Sequence, residues 1–238
     1  MQDNKVLDKY KNVKVHAYDA FSIVPKEVFN SGLSNPEIGM YVLLAANSGP
    51  NALYEGRSVF STSYTGIMLR LNWKCRRADV KNLLDQLAEK KLIHIKDLGR
   101  GNLDILFKKQ DEFKSDFVKI YGAAIRKILV NATGTRALIR LAFYAGFRCG
   151  IFENSTASKI FDKSPNYIAA SMGGLSADVV RHNLKWLREH KIIAYYKCKV
   201  TPMLGYERYY YAEYKDYKLL TAVVTGYMQQ HYVSEVLE

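Results

Sequence analysis

The chain is poor in the residues that build covalent or metal chemistry. Only three of its 238 residues are cysteines: Cys75, Cys149 and Cys198. They form no CxxC pair and lack the histidine spacing of a zinc site. Reduced thiols in a cytoplasmic protein are expected. Cys75, flanked by Lys74, Arg76 and Arg77, is expected to have a lowered pKa and the greatest reactivity. There is no glycine loop of the GxxxxGK type and no HExxH pair. The five histidines, His16, His94, His182, His190 and His231, are too dispersed for a ligand cluster. A nucleophile among the 18 tyrosines lacks the set of Arg and His that a recombinase needs around it. The carboxylates stand among lysines and read as surface ion pairs. Neither catalysis, nor a metal, nor a cofactor is expected. No run of 18 apolar residues occurs, so no membrane span is expected. The polar start Met1–Lys5 predicts no signal peptide.

What is present is positive charge and a usable core. Net charge is +12 and the pI about 9.4, which favours a polyanionic partner, nucleic acid first and an anionic membrane surface second. With 48% hydrophobic residues the chain can bury two cores, in domains of about 100 residues each.

The most informative pattern is an interval of 100 residues. Val80, Lys81, Leu84, Leu87, Glu89, Lys91, Leu92 and Ile93 recur as Val180, Arg181, Leu184, Leu187, Glu189, Lys191, Ile192 and Ile193. Val-Leu-Leu at i, i+4, i+7 is one apolar face of a helix. Each helix runs through a basic residue into an apolar pair and then a hairpin pattern, so one supersecondary unit is used twice. Helix, apolar exit and hairpin in a basic chain predict a winged helix-turn-helix. The expected fold is α+β, mostly helical, with two such domains in tandem and an amphipathic C-terminal helix.

The predicted organisation is a flexible arm over 1–19, a first domain over 20–112, a second over 113–216 and a helix over 217–238. In the first domain, Ser34-Asn-Pro36-Glu37 starts a helix reaching Asn47, with Ile38, Tyr41, Val42 and Ala45 on one face. Ser61-Thr-Ser63 caps a short helix, and a second runs from about Arg76 to Lys91. The turn Leu98–Asn102 joins the hairpin strands. Glu112 to Val130 reads as an amphipathic helix. Thr135 to Phe147 corresponds to the helix at 35–47 and opens the second domain. There Asn166 is expected to cap a short helix, Gly173-Gly174 to turn, and Ser176 to cap a helix to about His190. A hairpin of Tyr195–Val200 and Tyr206–Ala212 follows. Tyr217–Glu238 carries apolar residues at helical spacing, available for docking on the second domain or for a dimer.

A DNA-reading helix needs donors on its first turns and cations around it for phosphates. Lys74, Arg76, Arg77 and Lys81 meet that need in the first unit, and Ser176, Arg181, His182 and Lys185 in the second. Lys96 and Arg100, then Lys197, Lys199 and Arg208, place charge on the two hairpins.

Phe21-Ser-Ile-Val-Pro-Lys-Glu-Val-Phe29 followed by Leu33-Ser-Asn-Pro-Glu-Ile-Gly-Met-Tyr-Val-Leu-Leu44 resembles the start of winged-helix domains in bacterial plasmid and phage replication initiators. Phe117–Tyr121 through Lys191–Ile193 resembles the same wider group, a pattern shared with tandem winged-helix transcription regulators. The resemblance implies a cytoplasmic protein binding double-stranded DNA at repeated sites near an origin, with host replication proteins or a second copy as further partners. A transcription regulator, a conjugation or partition accessory factor, and a protein-interaction scaffold without DNA are the alternatives.

Overall fold

The computed structural model describes residues 20–48, 53–54, 56–114, 116–152, 159–160, 162–172, 175–201 and 206–238. The expected arm at 1–19, the glycine turn at 173–174 and the hairpin tip at 202–205 lie outside the described residues. Among the described residues stand eight α-helices and nine β-strands in three sheets, a mixed α+β fold. The chain falls into two compact units, 19–148 and 149–238.

In the first unit, helix α1 (Asn35–Asn47) begins at a capping box, with the Ser34 backbone N–H donating to Glu37 Oε2 at 2.6 Å. The sequence predicts one apolar face, but α1 is buried on all sides from Ile38 to Ala45. It is the central helix of its unit. Helix α2 (Tyr64–Arg70) is capped by Ser63, whose hydroxyl accepts from Gly66 N–H at 3.0 Å. Helix α3 (Arg77–Glu89) turns Val80, Leu84 and Leu87 inward as expected. Strands β4 (Ile93–Gly99) and β5 (Asn102–Phe107) form the expected hairpin. Strands β2 (Leu53–Tyr54) and β3 (Arg57–Ser63) extend it to a sheet ordered β2-β3-β5-β4. The hairpin turn is left-handed throughout: Gly99 at φ +82°, Arg100 at +53° and Gly101 at +85°.

Two sequence expectations are corrected here. The segment from Glu112 is not one helix. Phe117–Tyr121 is strand β6, antiparallel to β1 (Phe21–Pro25), with Val118 opposite Val24. Its burial alternates, since Val118 and Ile120 are buried and Lys119 is exposed, which is a strand period. Helix α4 (Gly122–Asn131) starts only after it. Helix α5 (Gly134–Phe152), expected to open the second domain, packs in the first as far as Arg148. Gly39 of α1 lies against its backbone so closely that a Cβ there would stand 1.9 Å from the Leu138 carbonyl oxygen. The units therefore divide near the end of α5 rather than at 112/113.

In the second unit, helix α6 (Pro165–Ser171) is capped by Ser164 rather than Asn166, because Pro165 takes the first helical position. Helix α7 (Ala177–Glu189) is capped by Ser176, as expected. Strands β7 (Ile193–Val200) and β8 (Glu207–Glu213) pair antiparallel, with Tyr196 opposite Tyr210. The final segment is not one helix. Helix α8 (Tyr217–Gln229) stops, and β9 (Val233–Val236) joins the sheet on the free side of β7. Leu220, Val223, Val224 and Tyr227 pack with Cys198, Val200, Tyr210, Ala212 and Val233 in one core. Of the two uses expected for this apolar face, docking on the second domain or a dimer, the first is found: the unit's own sheet covers it.

The repeat extends to the backbone. At the end of α3, Lys91 N–H donates to Ala88 O (2.9 Å) and Leu92 N–H to Leu87 O (3.1 Å), with Lys91 at φ +58°. At the end of α7, Lys191 N–H donates to Arg188 O (2.9 Å) and Ile192 N–H to Leu187 O (2.9 Å), with Lys191 at φ +55°. These are Schellman exits, usually occupied by glycine. Asn72 after α2 and His231 after α8 repeat the pattern.

Candidate nucleic-acid interface

In the first unit the loop from Leu71 to Arg76 presents the start of α3. It is pinned: Gly134 N–H donates to Leu71 O at 2.8 Å, and the Trp73 ring lies where a Cβ on Gly134 would stand. Lys74, Arg76 and Arg77 are exposed beyond it. Arg76 is the N-cap of α3. Its backbone N–H and guanidinium both reach Asp79, at 2.9 and 3.2 Å, and these bonds hold the Asp79 carboxyl below the usual range. The Arg77 guanidinium lies over the Tyr64 ring and against Gly101 of the hairpin turn. Tyr64 N–H donates to Gly101 O at 3.2 Å. The structure thus sets Arg77 against the hairpin turn that carries Arg100, with the hairpin tip beside the start of α3. Lys96 is exposed further along β4, an edge strand, and His94 is exposed on the same strand. Lys81 bonds Asp85 at 2.6 Å, which raises its pKa.

Cys75 is corrected in sign. Partial burial, and then the Asp79 carboxylate, push its thiol above the ordinary value. Its charged sequence neighbours point outward, whereas its spatial neighbour is an anion.

In the second unit Ser176 uses its hydroxyl to cap α7, accepting from Val179 N–H at 3.3 Å. Arg181, His182 and Lys185 are exposed on the helix, with Arg181 paired to Asp178. Two of the three hairpin cations are held within the sheet. Lys197 bonds Glu207 across β7–β8 at 2.8 Å, and Lys199 bonds Glu235 across β7–β9 at 2.6 Å. Arg208 pairs with Asp162 at 3.1 Å and donates to the Tyr232 hydroxyl at 2.5 Å. Lys197 and Lys199 therefore brace strands and Arg208 ties β8 to Asp162 and Tyr232, while Arg181, His182 and Lys185 share α7 with Ser176 at its cap.

Two residues outside the expected set belong to the site by position. Tyr64 supplies the ring under Arg77, and Asn82 stands exposed on α3. Neither is a cation, and the signal for Asn82 in the sequence is its place on the face of α3 opposite Val80, Leu84 and Leu87.

No family model matches the chain, and no curated protein matches it. Among solved structures it is similar to the Pi initiator protein in its crystal structure with iteron DNA. The TM-score is 0.48 and the identity 14%, over 83% of this chain and 99% of that one.

Proposed function

We propose that this chain binds double-stranded DNA through two winged helix-turn-helix units in tandem, with α3 and α7 in the major groove and the first hairpin tip against the backbone. It acts by binding rather than by catalysis. The observation that carries this reading is the repeated unit. A capped helix with an exposed polar face leaves through a left-handed lysine into a hairpin, twice, in a chain of net charge +12. Arg76 and Arg77 at the start of α3, and Arg100 on the hairpin turn, stand where a groove-inserted helix and its wing would meet phosphates. The resemblance of 21–44 to replication initiators supports a role in starting or regulating replication of a plasmid, phage or other mobile element. Transcription regulation and conjugation accessory roles share the same chemistry.

Fluorescence anisotropy with a duplex pool of random sequence, titrated with salt, tests it. Binding should fall steeply with salt, with a log–log slope of about −0.9 per phosphate neutralised. No binding at about 50 mM salt, where such contacts are strong, would overturn the reading in favour of a protein-interaction scaffold.

A further inference from the structure

We propose that Asn82 reads an adenine in the site bound by the first unit, an inference that rests on the DNA-binding reading above. Val80, Leu84 and Leu87 mark the inward stripe of α3. At about 100° per residue, Asn82 stands about 200° from Val80, on the crown of the helix, one turn beyond Ala78. Lys81 lies only about 100° from Val80, on the flank.

Three neighbouring charged side chains are already engaged inside the unit: Arg76 with Asp79, Arg77 with the Tyr64 ring, Lys81 with Asp85. The Asn82 amide is exposed and hydrogen-bonds to none of the described residues. Ala78, also exposed, leaves room for close approach on the same face. An amide offers a donor and an acceptor in one plane. That pair matches the N7 acceptor and N6 amino donor that only adenine presents together in the major groove. A lysine or arginine at the crown would offer donors alone and select guanine. The matching position on α7 is His182, so the two units are built to prefer different bases.

The test selects bound sequences from a random duplex pool with the full chain, with Asn82→Ala and with Lys74→Ala. Alanine at an exposed helical position keeps the fold, since it is the best helix former. The expected wild-type consensus contains an adenine that becomes unspecified in Asn82→Ala but persists in Lys74→Ala. Replacing that adenine by 7-deazaadenine, which lacks the N7 acceptor, should weaken wild type about tenfold and leave Asn82→Ala unchanged. A consensus identical in wild type and Asn82→Ala would overturn the inference and leave DNA binding intact. So would a wild type that binds all duplexes alike. A wild type that binds no duplex would overturn the DNA-binding reading, and Asn82 with it.

Discussion

The Arg77 guanidinium lies 4.3 Å from the centroid of the Tyr64 ring and 3.3 Å from where a Cβ on Gly101 would stand. Tyr64 is the first residue of α2, Arg77 the first of α3, and Gly101 lies in the hairpin turn. One side chain therefore locks two helix starts to the hairpin turn. Arg77→Ala should lower stability by about 0.5–1 kcal/mol, and Arg77→Lys should restore little of it, because a point charge does not stack as a planar guanidinium does. DNA affinity should fall alike on unrelated duplexes. Urea denaturation and binding to two unrelated sequences check this. A loss confined to one base pair would instead make Arg77 a base-reading residue.

Gly39→Ala should be strongly destabilising. Its Cβ would meet backbone of α5, which cannot swing aside as a side chain does. Overpacking costs about 1–3 kcal/mol, and the upper end applies here, outweighing the gain of about 1 kcal/mol in helix propensity. Gly99→Ala is the contrast: nothing lies within 4 Å, and only its positive φ opposes the change, for about 1–2 kcal/mol. Thermal melts of the two variants should rank in that order.

Lys91→Gly and Lys191→Gly should each stabilise the chain by up to about 1 kcal/mol, since a side chain in the left-handed region carries a penalty of about 1–2 kcal/mol, partly offset by glycine's greater freedom when unfolded. A rise in melting temperature for each, additive in the double variant, is the expected result.

Cys198 is fully buried in the core that α8 and β9 complete, and burial pushes its thiol up to about 11. It should resist thiol reagents at pH 8. Cys75, partly accessible and also raised, should react, but more slowly than a free cysteine and faster as pH rises. Val233→Ala removes two buried methyl groups, for about 2 kcal/mol, and should make Cys198 labelling faster. Unchanged Cys198 protection in that variant would show that β9 does not seal the core.

Cutting the chain between 112 and 113 would part β1 from β6 and α1 from α5. Fragment 1–112 should therefore melt without a cooperative transition, whereas fragment 1–148 should show one. Circular dichroism on heating distinguishes them.

What could be read from the amino acids follows from period and length. The stripes Val80-Leu84-Leu87 and Val180-Leu184-Leu187 span about two turns each, in helices of 13 residues, long enough to identify both. Phe117–Tyr121 has only five residues and abuts α4, so its alternation merges into a helical pattern. Strand β3 carries Arg57, Ser58, Ser61, Thr62 and Ser63, which mark no apolar face. The end of α8 has His231 where a glycine would have signalled a stop, which hid β9. The hairpin cations Lys197, Lys199 and Arg208 look alike in sequence. Only their positions in space show the carboxylates that hold them.

The left-handed exits after α3 and α7 are held by main-chain hydrogen bonds, and lysine occupies both. A change of residue there shifts stability by about 1–2 kcal/mol; a change in the number of residues undoes the strand. A single residue added at either exit would turn over the following strand, sending Ile93 or Ile193 to solvent and His94 or Ala194 inward. These junctions should accept residues other than proline, whose ring forbids the positive φ and removes the N–H, yet reject every insertion or deletion, and a library that varies length as well as identity would show that asymmetry directly.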